Sequence, residues 1–234
     1  MKASATATLM APPPASPAAS NTPSSSSSTT PPPPPSPPSQ RASFKISSAF
    51  SDAVALVKNP AGFMNANRDN DASIRSVLVN YVAVLAAVPF IGTLIGDSWY
   101  FRNIGFAFGA AVLTYILDIV AVFVVGYIVW KLAPNFATST TQVRATRLVA
   151  YAFTPAFLIA ILDIIPYISA ITFLGLVYGL YILYLGMPIL MNTPKDRVLT
   201  YVIVSVVATI VVYAIIGAII GAITAAFFIG AFFL

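Results

Sequence analysis

The sequence predicts an all-α membrane protein. Its expected architecture is a five-helix transmembrane bundle, N-terminus in and C-terminus out, behind an N-terminal amphipathic interfacial helix and a disordered tail. Three observations predict it. Apolar residues make up 58 % of the 234 and charged residues only 8 %, with a mean hydropathy of +0.87. A soluble domain of this size cannot keep so much apolar surface from water. Long uncharged runs recur along the chain, and basic residues gather in every second interval between them.

Composition also excludes chemistry. The chain has no Cys and no His, which removes thiolate nucleophiles, disulfides, the commonest metal ligand and the usual general base. Every acidic side chain is Asp. No glycine-rich phosphate loop, HExxH or GxSxG occurs, so an enzyme is not expected, nor is a catalytic, cofactor or metal site. The net charge of +5 arises from scattered Lys and Arg, which fits membrane topology and not nucleic acid.

Residues 1–43 are Ala, Ser, Thr and Pro with only Lys2 and Arg41 charged. The run Pro31 to Pro35 favours polyproline geometry and forbids helix, so this segment reads as a disordered cytoplasmic tail. Residues 44–75 form an amphipathic juxtamembrane segment. Ile46, Ala49, Phe50, Ala53, Val54 and Val57 recur at i, i+3, i+4, i+7, while Lys45, Ser48, Asp52 and Lys58 fall elsewhere on the wheel. Asn59-Pro60 ends that helix. It is too polar to span, and it lies either in the headgroup plane or against the bundle.

Residues 76–234 form the transmembrane domain. A span needs about 20 apolar residues to cross about 30 Å of hydrocarbon. The runs are Val77 to Gly96, Ile104 to Trp130, Leu148 to Ile165, Ile168 to Met191, and Leu199 to the aromatic C-terminus. The third and fourth are joined so tightly at Ile165-Pro166-Tyr167 that they form an antiparallel hairpin. A four-span alternative makes that hairpin re-entrant, at the cost of backbone groups to be satisfied within protein. Arg41, Lys45, Lys58, Arg68 and Arg75 precede the first span. Lys131, Arg144 and Arg147 lie between the second and third, and Lys195 and Arg197 between the fourth and fifth; only Arg102 lies on the other side. That bias places the N-terminus in the cytoplasm.

Asp118 is the anomaly, since a carboxylate in mid-span costs at least about 2.5 kcal/mol when ionised. The expectation is a hydrogen bond to a hydroxyl such as Tyr151, Thr154, Tyr178 or Tyr181, either as interhelical glue or as an ion site. Asp163, near the outer end of the third span, is expected to reach water or a helix terminus. Gly105-Gly109, Gly175-Gly179 and Gly217-Gly221 have GxxxG spacing, which brings helices together within the chain or between copies and partners. Pro89, Pro155 and Pro188 lie inside spans.

The segments Tyr151-Ala-Phe-Thr-Pro155 and Tyr178-Gly-Leu-Tyr181 through Gly186, Pro188 and Met191, followed by Thr193-Pro194-Lys195-Asp196-Arg197, resemble the Yip1 family. The likeness is closest to its prokaryotic branch and covers about residues 50 to 230. It implies five spans and a cytoplasmic N-terminus, in a prokaryotic cell (inner) membrane, or in Golgi or endoplasmic-reticulum membranes if the source is eukaryotic. Eukaryotic members associate with Rab-type GTPases; no binding residue of theirs carries over. Two functional readings follow. One is a non-enzymatic membrane-organising or protein-interaction scaffold, with a cytoplasmic partner at Asn192 to Arg197 and the amphipathic segment. The other is a small transporter or channel that uses Asp118, Asp163 and the tyrosines as one polar route.

Overall fold

In a computed structural model the described residues are 48–70, 72–165 and 171–233. The expected tail at 1–43, the beginning of the amphipathic segment at 44–47, and residues 166–170, where the link of the hairpin is expected, lie outside them. All regular elements among the described residues are helical: α1 (Ala49–Lys58), α2 (Pro60–Ala66), α3 (Ile74–Phe101), α4 (Ile104–Leu132), α5 (Gln142–Ile159), α6 (Thr172–Met191) and α7 (Val198–Phe233). Helices α3 to α7 are the five elements long and apolar enough to cross a membrane.

Two short helices precede the spans because Asn59-Pro60 is a corner as well as a stop. Asn59 ends α1, and its side chain then caps α2 by accepting from the Gly62 amide at 2.9 Å. Pro60 sits at the first helical position, where its missing N–H costs nothing. Helix α3 begins at Ile74, three residues earlier than the hydropathy boundary at Val77. Ser73 supplies the reason, since its hydroxyl accepts from the Ser76 amide at 3.1 Å. One π turn, Leu78–Val82, follows within α3. Helix α5 likewise starts at Gln142, capped by Thr141, so Arg144 and Arg147 belong to its first turns and not to a loop before Leu148. Asn103 caps α4 in the same way, accepting from the Phe106 amide at 3.0 Å.

Helix α5 is the centre of the bundle. Of its most apolar stretch 72 % is buried, against 11 % for α7. Helices α5 and α6 lie antiparallel, because Gly175 meets Ala156 while Gly179 meets Ala152. The contact is backbone on backbone: a Cβ at Gly179 would stand 2.1 Å from the Ala152 carbonyl oxygen. This is the hairpin expected from sequence, and each arm is long enough to cross.

A second glycine seam was not anticipated. Gly92 and Gly96 on α3 have the same spacing and seat the end of α5. A Cβ at either would fall 2.5 Å from the Ala160 carbonyl oxygen or 2.6 Å from that of Asp163. By contrast, a Cβ at Gly109, Gly217 or Gly221 would meet nothing within 4 Å, and one at Gly105 only its own cap Asn103. Both stripes are exposed, Gly105-Gly109 along a groove of about 200 Å³ shared with Ile220 and Ile223 of α7.

The seams therefore carry different loads. Gly179→Val is expected to destabilise the full chain in detergent by about 1–3 kcal/mol, whereas Gly217→Val leaves the thermal midpoint unchanged. Equal midpoints for the two variants would contradict the assignment of α5–α6 as the packed seam.

Candidate functional site

The polar residues of the bundle's basic end converge beneath α1 and α2. Helix α1 turns Ala49, Ala53 and Leu56 inward, all fully buried, and leaves Phe50 and Val54 about half exposed. Its apolar face thus divides into two stripes, one docked on the bundle and one free. Helix α2 inserts Met64, also fully buried, towards α6 beside Gly186, where a Cβ would approach Leu148 and the Met64 sulfur at 2.1 and 2.9 Å. Together α1, α2 and the turn after them form a cap.

Arg147 holds the cap down. It is the largest fully buried side chain among the described residues. Its Nη1 donates to the Asn70 carbonyl at 2.6 Å and its Nη2 to the Arg68 carbonyl at 2.9 Å. A cation in the first turns of a helix opposes the helix dipole, so the two carbonyls after α2 account for its position. Arg68 in turn donates to the Asn192 side chain at 2.5 Å. Asn192 terminates α6 in the left-handed conformation, φ 56°. Beyond it, the Thr138 hydroxyl donates to that of Thr193 at 3.2 Å, and the Arg197 amide bonds to the Pro194 carbonyl at 3.0 Å. Lys195, Asp196 and Arg197 project outward. Cap, α5 and the 192–197 loop are one connected surface.

Aromatic hydroxyls complete it. The Tyr178 hydroxyl donates to the Val57 carbonyl at 2.8 Å, fastening α1 to α6. Thr154 donates back to the Ala150 carbonyl at 2.9 Å, so its 2.8 Å contact with Tyr81 has Tyr81 as donor. The rings of Phe63 and Tyr81 meet Tyr151 edge-on at 5.4 and 5.5 Å. Tyr151 is fully buried, and its hydroxyl finds no hydrogen-bond partner among the described residues. The charges of Asp52 and Arg147 both reach it. Partial burial on α1 raises the Asp52 carboxyl above its usual range, against a smaller opposing effect of its hydrogen bond with Ser48.

Asp118 is elsewhere. It is nearly buried on α4 and hydrogen bonded to Tyr213 of α7. The expected partners Tyr151, Thr154, Tyr178 and Tyr181 serve other roles, the first three at the cap. Tyr181 is half exposed on the outer side of α6. Asp163 lies on the 3-10 turn that ends α5, partly exposed, with its carbonyl over Gly96. Two grooves, of about 310 and 200 Å³, are lined by neither aspartate nor by any tyrosine. The structure does not join these groups into a route.

The Yip1 domain family model matches residues 54–217, which takes in the cap from the middle of α1 onward, the first four spans and more than half of α7. The chain belongs to the Yip1 family. It is 28 % identical over 152 residues to inner membrane protein YohC of Escherichia coli strain K12, covering 58 % of this chain and 75 % of that protein. YohC of strain O6:H1 matches over the same extent, also at 28 % identity. No solved structure matches. Most of the residues that carry the Yip1 resemblance now have a physical place. Tyr151 and Thr154 lie under the cap, Tyr178 and Gly186 receive it, and Pro194 shapes the loop beside it. Pro155 and Pro188 lie inside α5 and α6, which run on through them. Arg147 and Tyr81 escaped the sequence reading. An arginine immediately before an apolar run was counted for topology only, and nothing marked Tyr81 among the residues of the first span.

Two outcomes follow. Arg147→Met removes both hydrogen bonds that hold the part-buried Arg68 and Asn70 carbonyls, each worth about 0.5–1.5 kcal/mol, so amides in residues 49–70 exchange faster while those of α5 and α6 stay protected. Arg147→Lys does not rescue this, because an ammonium lacks the two-pronged reach; full rescue would contradict the geometry. A double-mutant cycle of Asp118→Asn and Tyr213→Phe gives a coupling energy of about 0.6 to 1.7 kcal/mol, the span measured for hydrogen bonds between membrane helices. Zero coupling would deny the pair.

Proposed function

We propose that this Yip1 protein is a non-enzymatic scaffold of the inner membrane that organises the membrane or binds protein, with its cytoplasmic face as the partner surface. The observation that carries the reading is the locked cap. Arg147, Arg68 and Tyr178 tie α1, α2 and the 192–197 loop into one fixed surface, and a preorganised surface binds without an ordering cost. Beside it the half-exposed Phe50 and Val54 supply apolar contact, while Lys195, Asp196 and Arg197 supply charge.

Orientation rests on the basic residues: among those described, eight lie on the cap side against Arg102 on the other, which argues for a cytoplasmic cap. The inner membrane is argued from YohC, which is named for it. Lack of His, Cys and Glu in the sequence argues against catalysis. The exposed stripes Gly105-Gly109 and Gly217-Gly221 offer close approach to a second copy or another membrane protein. The transporter reading requires Asp118 and Asp163 along one cavity, and the grooves lack both.

A photocrosslinking residue placed at Lys195 and, separately, at Val54 tests the partner surface in intact cells. Both positions are expected to give adducts with the same protein, and both adducts weaken in Arg147→Met. No protein adduct from either position would overturn the scaffold.

A further inference from the structure

Helix α7 is tied to the bundle at two levels, and between them a groove runs along one side of its contact with the bundle. The Tyr201 hydroxyl donates to the Val129 carbonyl, and the Tyr201 ring stacks on Phe136 with centroids 4.5 Å apart. About 18 Å further along the helix axis, Tyr213 meets Asp118 and stacks on Phe153 at 5.5 Å. Between these ties, α7 faces α4, α5 and α6 across a groove of about 310 Å³.

The walls of the groove are hydrocarbon with two hydroxyls, those of Ser205 and Thr209. Thr209 spends its hydroxyl on the Ser205 carbonyl at 2.8 Å. The fully buried Ser205 hydroxyl finds no hydrogen-bond partner among the described residues. Ala152, Gly179 and Ser205, all small, make the groove deep. Lipid-facing helices free to move would close such a gap, since every unfilled contact forfeits dispersion energy. The paired ties prevent closure, so something else must occupy the space.

Geometry selects the occupant. The groove opens sideways between α6 and α7, at a depth where the surroundings are hydrocarbon and not water. It follows α6 from Phe173 to Leu183, about 15 Å of helix axis, which is half of the roughly 30 Å hydrocarbon core and so the depth of one leaflet. A helix of a second copy is about 10–12 Å across with its side chains, so a 15 Å length of it is several times larger than a groove of about 310 Å³. A single unbranched chain of that length is not. We propose that the groove is an acyl-chain site, in which one tail of a membrane phospholipid lies between α6 and α7 and completes the packing of α7. This inference is independent of the scaffold reading.

The test reconstitutes the full chain in phosphatidylglycerol and phosphatidylethanolamine vesicles containing a phospholipid with a diazirine midway along one tail. After photolysis, labelling is expected to concentrate on Leu176, Leu180 and Val206, which line the groove, above the level on Ile91 of α3, which faces outward. Val206→Trp fills the groove and abolishes the excess, whereas Ile203→Trp, on the outer face of α7, retains it. Thr209→Leu fills less space and gives the same loss should Val206→Trp fail to fold. Uniform labelling across outward faces, or an excess that survives in folded filled variants, overturns the proposal. So does a disulfide between copies from cysteines at Leu180 and Val206, which would make a second chain the occupant.

Discussion

In hydrocarbon an apolar side chain gains little by leaving lipid for protein, so helices must be held together by close backbone approach and a few polar ties. Every contact of consequence in this bundle obeys that constraint. Gly175 and Gly179 bring α6 onto the carbonyls of α5, and Gly92 and Gly96 do the same for α3. Where glycine spacing is absent, a hydrogen bond takes over: Tyr115 of α4 donates to the Ala83 carbonyl of α3 at 3.1 Å, and α7 has its two tyrosine ties. Helix α5, which receives glycine seams from both sides, is consequently the buried one.

The same constraint explains what could be read from sequence. Span number and lengths follow from the medium, which sets the length of every uncharged run, and polypeptide in hydrocarbon has few options besides helix. Boundaries were less legible because caps extend helices into polar sequence. Ser73 and Thr141 carry α3 and α5 outward past the hydropathy edge, which converts Arg147 from a loop charge into a buried strut. Glycine spacing proposes seams without saying which face the partner. Of the three stripes singled out, only Gly175-Gly179 is internal, and the seam at Gly92-Gly96 went unnoticed although its spacing is identical. Asp118 stands out in the sequence, but the choice among hydroxyls depends on helix adjacency, which one sequence does not contain; α4 lies against α7, which brings Tyr213 to it.

Two polar systems among the described residues follow different logic. At mid-membrane Asp118 and Tyr213 form an isolated pair, which suits a tie between helices because each satisfies the other and nothing polar continues outward. At the basic end the groups form a connected chain from Asn70 through Arg147 to Arg68, Asn192 and the 192–197 loop. A connected network fixes the relative placement of several elements, which a pair cannot do. The cap is therefore positioned by the spans and not merely attached to them.

That positioning also accounts for the π turn in α3. A π turn is rare and concentrates where a helix must present a side chain out of register. Here it spans Leu78–Val82 and carries Tyr81, whose hydroxyl reaches Thr154 and whose ring meets Tyr151. Val77, Tyr81, Val82 and Leu85 are buried together, at the level where the cap meets the bundle. The π turn packs against α4 and α5, and Tyr81 reaches Thr154 and the Tyr151 ring, on which Phe63 of the cap also rests. The first span and the cap thus meet on one face of α5, through Tyr151.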